Sequence, residues 1–155
     1  ADAYLEKPFT TELLMAQIHN LIKNRRLDRQ NFINSPLANF KSVAMNKTDE
    51  EFIKKLNSVV MDNISENELS VDKIASIMGI SVSTLYRKVK ALTDLNSVEY
   101  LRLVRLKKAA ELLSERSYRI NEISYLVGFS SPSYFSTSFQ KQFGVSPSEF
   151  VRKLK

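Results

Sequence analysis

From Thr48 onward, apolar residues recur at intervals of three and four, and no stretch alternates long enough to suggest a strand. The spacing predicts a run of short helices. Thr48 with Glu51 has the form of a capping box, opening a helix that buries Phe52, Ile53, Leu56, Val59 and Val60. Ser70 caps a helix whose inner face is Ile74, Ala75 and Ile77, and Ser81 caps another carrying Leu85, Val89 and Leu92. A longer helix starts at Asn96 or Ser97 and carries Tyr100, Leu101, Val104, Leu106, Ala109, Ala110 and Leu113. Ile120, Ile123 and Leu126 mark the next, and Phe135, Phe139 and Phe143 the one after. Gly144, Ser146 and Pro147 stop that helix and begin a last one, because proline suits the first helical position. Near the start, a helix from Thr10 or Thr11 places Leu14, Ile18, Leu21 and Ile22 on one face, with Lys23, Arg25 and Arg26 at its dipole-favoured end. Periodicity fades over 28–47, which reads as an irregular linker packing in part through Phe32, Leu37 and Phe40. The fold class implied is all-α.

The most informative feature is a repeat. Ile74-Ala75-x-x-Met78-Gly79-Ile80-Ser81 recurs 49 positions later as Ile123-Ser124-x-x-Val127-Gly128-Phe129-Ser130. Gly79 and Gly128 are two of three glycines in the chain. A glycine just past a helix end adopts the left-handed conformation without a Cβ clash, and the serine two residues on, Ser81 or Ser130, is placed to cap the next helix. The unit is helix, tight turn, helix, the arrangement that sets a second helix in a DNA major groove. After a one-residue insertion the repeat continues: Leu95-Asn96-Ser97-Val98-Glu99-Tyr100 matches Val145-Ser146-Pro147-Ser148-Glu149-Phe150. Asp94 then falls opposite Gly144, and aspartate is among the few residues that tolerate a left-handed backbone. Two reading heads on one chain are implied: 70–92 and 119–143, joined by a long helix over about 97–114.

Charge sharpens this picture. The chain carries +6 overall, but residues 46–72 hold three Lys against seven Asp and Glu. Residues 82–119 hold nine Lys and Arg against four Asp and Glu, a net of +5 that coincides with the first candidate reading helix. That fits a polyanion partner, against the plainer reading of a solvated face. The absence of cysteine excludes disulfides and thiolate metal sites and is compatible with a reducing cytoplasm, the expected location. No apolar run reaches the ~20 residues of a membrane span.

Catalytic chemistry has little to build on. His19 is the only histidine and falls on a polar helix face. The three glycines never cluster into a phosphate loop, and Asp49-Glu50-Glu51 lies in a helix first turn, where acids favour the dipole. No enzyme activity, metal, cofactor or small-molecule ligand is expected.

In the first reading helix Leu85 and Val89 face inward, leaving Ser83, Thr84, Tyr86, Arg87 and Lys90 outward. Arg87 is the strongest base reader, since its fork matches guanine O6 and N7; the plainer alternative is a phosphate contact. Tyr86 reaches a thymine methyl or the sugar backbone, or else shields the core edge. The second helix offers Ser133, Tyr134, Ser136, Thr137 and Gln140, with no cation before Lys141. Hydroxyls discriminate bases poorly, so this head reads as the weaker one. Phe129, Phe135, Phe139 and Phe143 read as core.

Residues 46–155 resemble the DNA-binding domain of the AraC/XylS family of bacterial transcription regulators. The resemblance rests on the run from Ile120 through Ile123-Ser124, Val127-Gly128-Phe129, Ser133-Tyr134-Phe135-Ser136, Phe139, Lys141, Phe143-Gly144 and Ser146-Pro147 to Phe150. It implies two helix-turn-helix subdomains entering successive major-groove segments, with base contacts on Ser83, Tyr86 and Arg87 and on Ser133, Ser136 and Thr137. Two departures stand out: many members carry arginine at the position of Thr137 and a basic residue at that of Gln140. The opening Ala1-Asp2-Ala3-Tyr4-Leu5-Glu6-Lys7-Pro8-Phe9 resembles the last strand, lysine-proline loop and final helix of a two-component receiver domain. By that resemblance Lys7 is the phosphoryl-contacting lysine, Pro8 follows it in the loop, and the phosphoacceptor aspartate lies upstream.

Together these resemblances imply the output end of a hybrid two-component regulator: receiver remnant 1–27, linker 28–47, DNA-binding domain 48–155. In such proteins the whole polypeptide can be anchored in the inner membrane. The implied role is activation of carbohydrate-use genes. The implied partners are double-stranded DNA, RNA polymerase and a second copy paired through the 10–27 helix. The alternatives are a low-specificity architectural DNA binder and a helical protein-interaction module.

Overall fold

The structure, a computed structural model, describes residues 30–37 and 46–154. Seven helices run in order among the described residues: α1 (Lys47–Asp62), α2 (Val71–Met78), α3 (Val82–Thr93), α4 (Ser97–Glu115), α5 (Ile120–Leu126), α6 (Pro132–Phe143) and α7 (Pro147–Lys153). Residues 30–34 are helical as well. The all-α expectation holds. Lys7, Pro8, His19, Phe40 and the stripe Leu14, Ile18, Leu21 and Ile22 lie outside the described residues.

The caps explain the boundaries. Ser70, Ser81, Asn96 and Ser146 each accept a hydrogen bond from the backbone N–H three residues on. Asn96 and Ser146 form full capping boxes with Glu99 and Glu149, and that bond from the Ser146 N–H holds the Glu149 carboxyl below its ordinary pKa. One start differs from expectation: Asn46, not Thr48, caps α1, its Oδ1 accepting from the Asp49 N–H at 2.8 Å. Thr48 falls inside the first turn, since an asparagine two residues earlier competes for the same role.

The two glycine turns are alike at the backbone. The Gly79 N–H donates to the Ser76 carbonyl and the Ile80 N–H to that of Ala75; the Gly128 N–H donates to Tyr125 and the Phe129 N–H to Ser124. This is the Schellman pattern twice, with φ of 72° at Gly79 and 90° at Gly128. Asp94 and Gly144 are both left-handed, at 65° and 81°, as their alignment required. The inserted residue sits in the second turn. Ser131, not Ser130, caps α6, accepting from the Tyr134 N–H at 3.1 Å. From there on the repeat runs at an offset of one more residue.

Two cores result. One gathers α1, α2, α3 and the first half of α4 around Leu56, Val60, Ile74, Leu85, Val89 and Tyr100. The other gathers the second half of α4 with α5, α6 and α7 around Leu106, Leu113, Ile123, Val127, Phe135 and Phe139. Helix α4 touches all six others. The aromatic stripe is core, with Phe135–Phe139 and Phe139–Phe143 ring centroids 5.8 and 5.0 Å apart. Two apolar assignments need correction. Ile77 is 54% and Leu126 40% exposed, whereas Val127 is fully buried. In each short helix the residue just before the glycine, Met78 or Val127, takes the inward position, and the one ahead of it, Ile77 or Leu126, falls on the outer face.

Two cations of the basic stretch are structural. Arg105 is buried; its Nη1 donates to the Ile64 and Val127 carbonyls and its Nη2 to that of Glu66, bolting the α1–α2 loop to the second glycine turn. Burial lowers its pKa, but a guanidinium keeps its charge throughout the accessible range. Lys107, also buried, donates to the Ser35 carbonyl at 2.6 Å and lies 4.4 Å from the Phe32 ring centroid. The +5 of residues 82–119 therefore overstates the charge available to a partner.

Burial lowers the Lys107 pKa to about 8. Between that value and the ordinary lysine range the unfolded chain holds a proton that the folded chain has released. Stability should therefore rise as pH climbs from about 8 to about 10.5, the same sign as for a depressed carboxylate but in an alkaline window. Denaturant unfolding of the chain and of Lys107→Met across this window tests the point: the difference between them should shift in favour of the lysine as pH rises.

Candidate nucleic-acid interface

The first reading helix is α3. The N-cap Ser81 holds its start, accepting from the Thr84 N–H at 3.1 Å and donating through Oγ to Thr84 Oγ1 at 2.9 Å. Leu85, Val89 and Leu92 bury one face in the first core. Burying those three residues leaves Ser83, Tyr86, Arg87 and Lys90 exposed on the other, with Thr84 half-buried between. Arg87 makes no hydrogen bond or ion pair among the described residues, so its guanidinium is available. Lys90 is different: its Nζ donates to the Asp94 carbonyl at 2.8 Å, which closes the helix C-terminus. That makes it a weaker candidate than its exposure suggests. Lys88, absent from the sequence-derived set, is exposed on this same helix, with Nζ 5.0 Å from the Phe52 ring centroid.

The second reading helix is α6. Pro132 occupies its first position, and Phe135, Ser138 and Phe139 face the core. Ser133, Thr137 and Gln140 are exposed and Ser136 is half-buried. The inserted turn residue puts Ser133, Ser136, Thr137 and Gln140 in register with Ser83, Tyr86, Arg87 and Lys90, 50 positions apart. The two heads therefore present the same geometry with different chemistry, an arginine answered by a threonine and a lysine by a glutamine. Tyr134 is exposed and packs edge-on against Phe129 at 5.5 Å, fixing the start of α6 against its glycine turn.

Between the heads is a cleft lined by Asn67, Val98, Arg102, Ser130 and Tyr134, with Arg105 and Gly128 at its floor. Arg102 is exposed there, one helical turn before the buried Arg105. Sequence reading placed both in one basic run. Only the fold separates the exposed cation from the structural one, because helix α4 is enclosed around most of its circumference.

Among the described residues there is no group of three or more His, Cys, Asp or Glu placed to hold a metal ion. Among them, too, no helix is long and apolar enough to cross a membrane.

Comparison with known proteins agrees with this geometry. Residues 74–153 match the family described as a helix-turn-helix domain. An AraC-type transcriptional regulator from Chromobacterium violaceum is 30% identical, with a TM-score of 0.63 over 70% of this chain and 96% of that one. The C-terminal domain of AraT, a response regulator from Geobacillus stearothermophilus, is 31% identical, with a TM-score of 0.57 over 64% of this chain and 82% of that one. The histidine kinase P4 of Formosa agariphila is 36% identical over 153 residues, which is 99% of this chain and 11% of that protein. The chain spans less than half the length of the curated relatives it matches. Two glycine-turned heads, a shared spacer helix and these matches have one common explanation: the chain belongs to the AraC-type helix-turn-helix family of DNA-binding transcription regulators.

Proposed function

We propose that this chain is the DNA-reading output end of a hybrid two-component regulator. In this reading α3 reads bases mainly through Arg87, assisted by Ser83, Thr84 and Tyr86. Helix α6 makes weaker contacts through Ser133, Ser136, Thr137 and Gln140, and Lys90 supports the phosphate side. The observation that carries the reading is Arg87, exposed and without a partner among the described residues, on the outer face of a capped helix whose other face is core. Residues 1–27 are read as the receiver remnant, with Lys7 and Pro8 in its lysine-proline loop, and 28–47 as the linker. Two similarities support the two-component part: a histidine kinase aligned over nearly the whole of this chain, and the output domain of a response regulator. Activation of carbohydrate-use genes, recruitment of RNA polymerase and pairing through the 10–27 helix belong to the same proposal. A reporter gene driven from a bound site tests the sign of regulation.

Salt dependence separates this reading from a protein-interaction module. Cations neutralising phosphates release counterions, so affinity for a DNA duplex should fall about tenfold or more between low and moderate salt. Fluorescence anisotropy at two salt concentrations measures it, and an affinity indifferent to salt would sink the proposal.

A further inference from the structure

Residues 30–37 are joined to both heads at once. Phe32 is fully buried in the first core, its ring 6.5 Å from that of Tyr100 and stacked at 24°. Lys107 of the spacer helix α4 reaches the Ser35 carbonyl, and Gln142, on the second reading helix, donates through Nε2 to the Ile33 carbonyl at 2.9 Å. The next residue, Phe143, packs against both cores. Apart from α4, the Arg105 bolt and Phe143, little direct packing joins the helices of the two heads among the described residues. A single helix between two cores leaves a twist about its own axis as the soft coordinate. A segment anchored in one core and hydrogen-bonded to the reading helix of the other restrains that twist.

We propose that residues 30–37 are a positioning strap that fixes the angle between the two heads, and with it the spacing of the DNA boxes the chain accepts. Gln142 and Lys107 are positioning residues: they hold strap carbonyls and need touch no DNA. The spacing consequence rests on the two-head DNA reading proposed above, whereas the angular restraint does not.

The test has two arms, both on the full chain. The sequence holds no cysteine, so Ser76→Cys on α2 and Ser148→Cys on α7, both exposed, can carry a pair of spin labels. Without DNA, the intact strap should give one narrow distance distribution. Gln142→Ala and Phe32→Ala should each broaden or shift it. Phe32→Ala also empties a core position, so Gln142→Ala, which leaves the core intact, decides if the former fails to fold. In the second arm the probe is a duplex recovered by the wild-type chain from a random pool, with and without one base pair inserted between its boxes. Wild type should lose about tenfold on the insertion, and Gln142→Ala markedly less. An unchanged distance distribution in Gln142→Ala would overturn the strap, as would undiminished selectivity for spacing. If the wild-type chain recovers no duplex, the DNA reading fails, and the distance arm still decides the strap.

Discussion

Gly128→Ala should destabilise the chain by about 3 kcal/mol or more, and Gly79→Ala by only about 1–2 kcal/mol. Both glycines are left-handed, so both substitutions bear the conformational cost of a Cβ at positive φ. Their surroundings differ. A Cβ on Gly79 would meet nothing within 4 Å, whereas one on Gly128 would overlap Arg105 Nη1 and the Ile64 carbonyl oxygen. The arginine tip would be easy to displace if it were free. It is held by the carbonyls of Ile64, Glu66 and Val127, and moving it strips charge-assisted hydrogen bonds from partly buried acceptors. Denaturant unfolding of the two variants measures the difference directly. Equal costs would mean that the Arg105 bolt can re-form elsewhere and is not what holds the second turn to the first head.

Arg87→Ala should cost about 1–3 kcal/mol of binding free energy on the best site and relax preference at one or two base pairs. Thr137→Ala, at the corresponding place in the second head, should cost less, because a lone hydroxyl makes no bidentate pair with a base. Arg87 is exposed and lacks a partner among the described residues, so removing it leaves the fold nothing to repair, and the loss should appear in binding and not in stability. Isothermal titration of each variant with the same duplex makes the comparison. A larger loss for Thr137→Ala would reverse the assignment of reading strength between the heads.

Much of the fold was legible in the sequence because its punctuation is local. A glycine after a short helix and a serine or asparagine before the next act within a few residues. So the turns at Gly79 and Gly128, the left-handed Asp94 and the caps at Ser70, Ser81 and Asn96 follow from chain order alone. Where two capping residues compete at close range, local signals do not decide. Hence Asn46 in place of Thr48, and Ser131 in place of Ser130. Nor does three-and-four spacing decide which residues of a one- or two-turn helix face inward, as with Ile77, Leu126 and Val127. The least legible features were the buried cations. Arg105 and Lys107 look like any basic residues on a charged helix, and their partners are carbonyls 22 to 72 positions away. The linker divides: its packing through Phe32 was expected, whereas its partners Tyr100 and Gln142 and the exposure of Leu37, at 55%, were not. For the interface, the residues facing outward on α3 were those periodicity left over once Leu85 and Val89 were assigned to the core. The engagement of Lys90 with its own helix end was not visible in that pattern.

The central claim, that two unequal heads read DNA sequence from one chain, is tested most directly by selecting bound duplexes from a random pool. The account predicts enrichment of a site with two boxes about one helical turn apart, the box under α3 strongly constrained and carrying a guanine lost as a requirement in Arg87→Ala, the box under α6 loosely constrained. Recovery of duplexes with no shared sequence, bound as tightly as any random competitor, would contradict it.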